Sequence, residues 1–211
     1  MRKLAILFFL TALAIGVDAK EQASQKFTEI QIVKDEVAIN GPMGTKFDDS
    51  MQSTYAILSK RLPNKVKMHD SQIDITEPFM FIESQFSSGV FLFKDNQFKM
   101  SVFLFDLDYQ DAMTQKLDMM QAQQWLKDNR NQINSYFDYL AKALESKYGH
   151  ASRLTNNSLL WIDDNRNTIK LEIEQTPNKD TNGKYYSQYG AIPSFTIALL
   201  YVQNNPTLND F

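Results

Sequence analysis

The side chains best suited to chemistry are few, and their spacing decides what each group can do. Among 211 residues there is no Cys, and the two histidines are His69 and His150. Without sulfur there is no thiolate nucleophile, no iron–sulfur cluster and no Cys-ligated zinc. Asp70 could orient the neighbouring His69, but a catalytic arrangement also needs a nucleophile, and no Gly-x-Ser-x-Gly elbow supplies one. His150 follows Gly149 at the end of a helical stretch, where the helix dipole favours a cation. Both histidines are expected on the surface, and no catalytic residue is assigned. Gly41–Gly44 lacks the pattern of a phosphate-cradling loop.

Two acidic stretches gather oxygen ligands. Asp163, Asn165 and Asn167, with Glu174 at the twelfth position, fall at the offsets of a helix–loop–helix calcium site. Thr168 stands where that loop needs Gly, and Ile169, Leu171 and Ile173 alternate as a strand, so a hairpin turn accounts for the same residues. Asp106, Asp108 and Asp111 read as a solvated loop that places negative charge before the next helix. No metal and no cofactor is expected. A carboxylate pair for hydrolysis depends on separation in space, which a sequence does not display.

Two further features favour recognition. Lys184, Tyr185, Tyr186 and Tyr189 stand in a polar stretch between strands, and tyrosine brings large, stiff contact area with a polar tip. These four are the candidate partner-binding residues. The second feature is the run Phe98–Leu107, apolar on both faces. Simple alternation puts Phe98, Met100, Val102 and Leu104 on one side and Phe103, Phe105 and Leu107 on the other. Such a strand is either central and covered twice, or it borders a lipid-sized cavity or a dimer contact.

The elements that must position these groups follow from composition and pattern. The chain is 43% hydrophobic, 22% charged and 12% aromatic, which excludes disorder. A net charge of −3 gives no basic field for nucleic acid. Arg2 and Lys3 precede an apolar run from Leu4 to Val17, and Val17 and Ala19 are the small residues a signal peptidase reads. That run is shorter than the roughly 20 residues a bilayer core requires. Residues 1–19 therefore read as a secretory signal peptide. Of 22 basic and 25 acidic residues, removal takes Arg2, Lys3 and Asp18, leaving 20 and 24. The mature product is expected to be soluble, in the periplasm of a Gram-negative bacterium or otherwise secreted, with no membrane span.

Residues 20–107 form an N-terminal helix-plus-sheet half, 108–130 a connecting helical segment, and 131–211 a C-terminal half of the same kind. In the first, Phe27–Val33 and Glu36–Ile39 read as short strands, and Asp48 or Asp49 caps a helix through Met51, Tyr55, Leu58 and Leu62. Strands follow at Ile73–Ile75 and Phe79–Ile82, with a hairpin from Val90 to Phe105. Helices are expected over about 112–127 and 131–148, the second carrying the stripe Ile133, Phe137, Leu140, Leu144 and Tyr148 and ending at Gly149. A second hairpin, Leu159–Ile173, and a last strand, Phe195–Val202, complete the chain. Laying Val90–Phe105 over Leu159–Glu174 matches Asp95 and Asn96 to Asp164 and Asn165. The fold class expected is α+β, antiparallel sheet with helices packed on one face, and it admits two tandem helix-plus-meander modules.

In element order this plan is similar to that of small exported modules such as the β-lactamase inhibitor proteins and the BamE-type outer-membrane lipoproteins. The resemblance implies a binding role. The expected function is an exported binding or accessory protein that acts on another envelope or secreted protein, as inhibitor, immunity-type protector or envelope factor. A carrier of an apolar small molecule or lipid is the second reading, and an envelope hydrolase with a carboxylate site is the third.

Overall fold

Period-two alternation becomes long central strands, and the helical stripe ending at Tyr148 is laid across them. A computed structural model describes residues 37–106, 119–177 and 193–203. One antiparallel sheet contains, in spatial order, β1 (Val66–Met68), β2 (Gln72–Ile75), β5 (Ser88–Lys94), β6 (Gln97–Asp106), β10 (Pro193–Val202), β9 (Thr168–Pro177), β8 (Ser158–Ile162) and β7 (Ser152–Thr155). A separate hairpin pairs β3 (Phe79–Phe81) with β4 (Ser84–Phe86). The described α-helices are α1 (Met51–Arg61) and α2 (Met119–Tyr148), whose buried residues share one core with the same side of the sheet. The fold is α+β.

The strand order mirrors itself about the β6–β10 pair. Each half is a helix followed by four strands of this sheet that run from one edge to its centre, the first half carrying the β3–β4 hairpin between its second and third. The hairpins matched by sequence are not the equivalent ones, however. Val90–Phe105 forms the third and fourth strands of its half, whereas Leu159–Glu174 forms the second and third. Their turns differ accordingly. Asp95 and Asn96 both have positive φ, as a two-residue hairpin turn requires, while in the other turn only Arg166 does.

The phase of β6 also differs from simple alternation. Leu92 faces Met100 but Phe93 faces Phe98, so Lys99 is the extra residue of a β-bulge. The bulge turns Phe98 to the helix side, where it is buried against Phe47, Phe91 and Phe93. Phe103 lies at the centre of this aromatic core, its ring 5.1 Å from Phe81, 5.5 Å from Phe79 and 5.6 Å from Phe91. Offset and edge-on pairs of this kind add to the area they bury. Met100, Val102 and Leu104 point to the opposite side of the sheet, hereafter the back face.

Helix α2 is continuous where two helices are expected. Lys127–Asn131 contains neither Gly nor Pro, so no residue there interrupts the backbone ladder; residues 112–118 lie outside the described residues. Its stripe packs on the sheet, with Ile133, Phe137, Leu140 and Leu144 all buried and Tyr148 half-buried. Gly149 closes the helix at φ 79°, its N–H donating to Glu145 O at 2.9 Å. Trp161 Nε1 then donates to the Gly149 carbonyl at 2.9 Å.

At the start of the described chain the expected strand is absent. Residues 37–40 form no ladder, and Ile39 is instead buried with its backbone bonded to side chains of the β8–β9 turn. Residues 27–36 lie outside the described residues, as do the signal segment and all of residues 1–36. Helix α1 is capped by Ser50, whose hydroxyl accepts from Ser53 N at 3.2 Å. Asp48 is otherwise engaged, with its carboxylate taken by Lys99 and Gln203, and Asp49 accepts from Lys46 N.

Candidate functional site

The base of the tyrosine-rich stretch is where the fold presents its recognition candidate. β9 and β10 pair over their full length, from Val202 with Thr168 to Pro193 with Pro177. Residues 178–192 therefore leave and return at one point, at the end of two central strands. Lys184, Tyr185, Tyr186 and Tyr189 lie within that stretch, outside the described residues.

The side chains at this stem are acidic. Thr196 faces Glu174 on one side and Asp106 on the other, and its hydroxyl donates to Asp106 Oδ1 at 2.8 Å. Glu174 is half-buried, and its carboxyl is pushed up to about 7, first by burial and then by the charge of Glu172, with Lys170 opposing. Lys170 Nζ sits 2.6 Å from Glu172 Oε2. In the sequence Glu174 stands out only as the twelfth position of the apparent calcium loop. Its burial arises only in the folded sheet and leaves no signal in one dimension.

Asp163, the first residue of that apparent calcium loop, serves the fold. It is buried, its Oδ1 accepts from Asn167 N at 2.8 Å, and its Oδ2 accepts from Ile39 N at 2.8 Å and Asn167 Nδ2 at 3.2 Å. Among the described residues no three His, Asp or Glu side chains converge as a metal site. Asp108 and Asp111 lie outside the described residues.

The histidines occupy separate places. His69 Nε2 pairs with Asp74 Oδ2 at 3.2 Å, across the β1–β2 connection rather than with the adjacent Asp70. It borders an open cleft of about 360 Å³ together with Met51, Asp70, Asp95 and Asn96. Asn96 Oδ1 accepts from Met51 N at 3.2 Å, so the β5–β6 turn helps cap α1. His150 is exposed beyond the Gly149 cap. Neither histidine meets the other, and nothing brings either to the β9–β10 stem.

Among the described residues no helix is long and apolar enough to cross a membrane. Comparison with protein-family models, curated proteins and solved structures finds no match.

Proposed function

We propose that the protein is an exported, non-catalytic binding factor, periplasmic or secreted, that presents residues 178–192 to another envelope or secreted protein. Lys184, Tyr185, Tyr186 and Tyr189 are the contact residues, and residues 1–19 are the export signal. The observation that carries the reading is the stem. Ten consecutive residue pairs join β9 to β10 inside an eight-stranded sheet, so the two residues that bound the tyrosine-rich stretch are fixed side by side. Tyrosine side chains offer contact area at low conformational cost.

The test is a crosslinked pull-down of the tagged protein from its own envelope, read by mass spectrometry, in wild type and in Tyr185→Ala/Tyr186→Ala/Tyr189→Ala. A stoichiometric protein partner in wild type that the triple variant loses is the expected result. Equal capture by both chains would remove the assignment of these tyrosines.

A further inference from the structure

The acidic stem holds one carboxylate and one hydroxyl that take no part in bonding the fold together. Leu159, Leu171, Phe195 and Ile197 belong to the helix-side core, so alternation puts Ser158, Glu172, Glu174 and Thr196 on the back face. Ser158 stands directly opposite Glu172 on the neighbouring strand, and Glu174 is its diagonal neighbour. Ser158 is 7% exposed, and its Oγ is buried without a hydrogen-bond partner. A buried hydroxyl in that condition is costly and calls for an explanation. Glu172 is bound by Lys170 Nζ at 2.6 Å. The Glu174 carboxyl has no hydrogen bond or ion pair among the described residues, and burial and the Glu172 charge act against its ionisation, with Lys170 opposing. Asp106, exposed on the far side of Thr196, adds a further negative charge to this end of the sheet.

We propose that Glu174 and Ser158 form a subsite for one guanidinium group, supplied by an arginine side chain of the protein partner; this rests on the reading that the tyrosine-rich stretch beside it engages a protein. Diagonal neighbours on adjacent strands have Cβ atoms about 7 Å apart, so the carboxyl and the hydroxyl flank a flat group rather than converge on a point. A guanidinium carries five donors in a rigid fork, so one edge pairs with the Glu174 carboxylate while another N–H reaches Ser158 Oγ. It is also more weakly hydrated than an ammonium, which suits a half-buried carboxylate. A metal ion fits less well, because no three acidic or His side chains converge among the described residues. Lys170 does not close the site to a cation. It is already bound to Glu172, which separates it from Glu174 along β9. Glu174 lies close to Pro177, where β9 ends and the tyrosine-rich stretch begins, so a partner engaged there is adjacent to the subsite.

The probe is ethylguanidinium chloride, titrated at neutral pH into the isotope-labelled exported chain and followed by amide NMR, with sodium chloride at equal ionic strength as reference. Saturable shifts at residues 157–159 and 173–175 are expected. Glu174→Gln, which keeps the shape and removes the charge, should weaken binding about tenfold, and Ser158→Ala about fivefold. No shift at these residues overturns the subsite, as does a shift that sodium chloride reproduces or that Glu174→Gln leaves unchanged. Should Glu174→Gln disturb the fold, nuclear Overhauser contacts from the ethyl protons to residues 158 and 174 of the wild type decide, and their absence refutes the placement. The envelope pull-down separates this inference from the reading beneath it. A partner captured by wild type and lost by Glu174→Gln supports the arginine contact. A partner lost only by the triple tyrosine variant, with no ethylguanidinium binding, removes the subsite and keeps the tyrosines. Ethylguanidinium bound at Glu174 with no protein captured overturns the partner's arginine and leaves a site for a free guanidinium compound.

Discussion

Replacing Asp163 tests whether this turn is structural. The carboxylate accepts two backbone N–H bonds, from Ile39 and Asn167, in a site only 6% exposed. A hydrogen bond to a charged acceptor contributes about 1.5–3 kcal/mol net, and an orphaned buried N–H carries its own desolvation cost. Taking the lower figure for each backbone bond, because the rim of the turn admits water, Asp163→Ala should cost about 3 kcal/mol. With a urea slope of about 2 kcal/mol per molar, the unfolding midpoint falls by about 1.5 M. Amide exchange supplies the local readout, with the Ile39 N–H protected in wild type and fast in the variant. Asn165→Ala, in the same turn but exposed, should leave both unchanged. Calcium should not raise the wild-type midpoint, because three N–H donors already occupy the carboxylate. A midpoint shift below about 0.3 M with Ile39 still protected would refute the reasoning, as would stabilisation by calcium.

Two other perturbations probe the sheet. The Glu174 carboxyl titrates near 7 in the fold against an ordinary 4.5, so between those values the folded chain holds a proton the unfolded chain has lost. Stability should therefore fall as pH rises from about 4.5 to about 7, and Glu174→Gln should remove that slope. Because the group is only half-buried, solvent screening limits the gain at pH 8 to about 1 kcal/mol. Parallel urea midpoints for both chains at pH 5 and pH 8 would count against this environment. Deleting Lys99 removes the bulge and turns Phe98 out of its core, at a cost of about 3–5 kcal/mol. Lys99→Ala keeps the bulge and forfeits a partly exposed ion pair, at about 1 kcal/mol or less. Equal thermal destabilisation by the two would show that Phe98 does not depend on the bulge.

The elements with strong local periodicity were legible. The stripe through Ile133, Phe137, Leu140 and Leu144 and the alternation at Ile169, Leu171 and Ile173 each turn the expected side to the core, Ile173 only partly buried. Gly149 ends its helix because its positive φ costs a residue without Cβ little. Short edge strands were not legible. β1 and β7 have three and four residues, and Leu154 and Met68 on them are exposed, so neither carries an alternating signature. Cap choice was missed for a different reason. Asp48, Asp49 and Ser50 are all good caps, and Lys99 and Gln203, distant in sequence, engage Asp48.

Local pattern thus determined the fold class, the helix stripe and the hairpins, because those depend on side chains a few residues apart. Assembly in space set everything that depends on a partner far along the chain. The bulge at Lys99 reversed the side of Phe98, the β6–β10 pairing joined the halves, and burial beside Glu172 raised the Glu174 carboxyl. The Asp163 carboxylate shows the difference most directly. Its turn is written in adjacent residues, but the Ile39 N–H it binds comes from 124 positions earlier, and only the folded sheet brings the two within 2.8 Å.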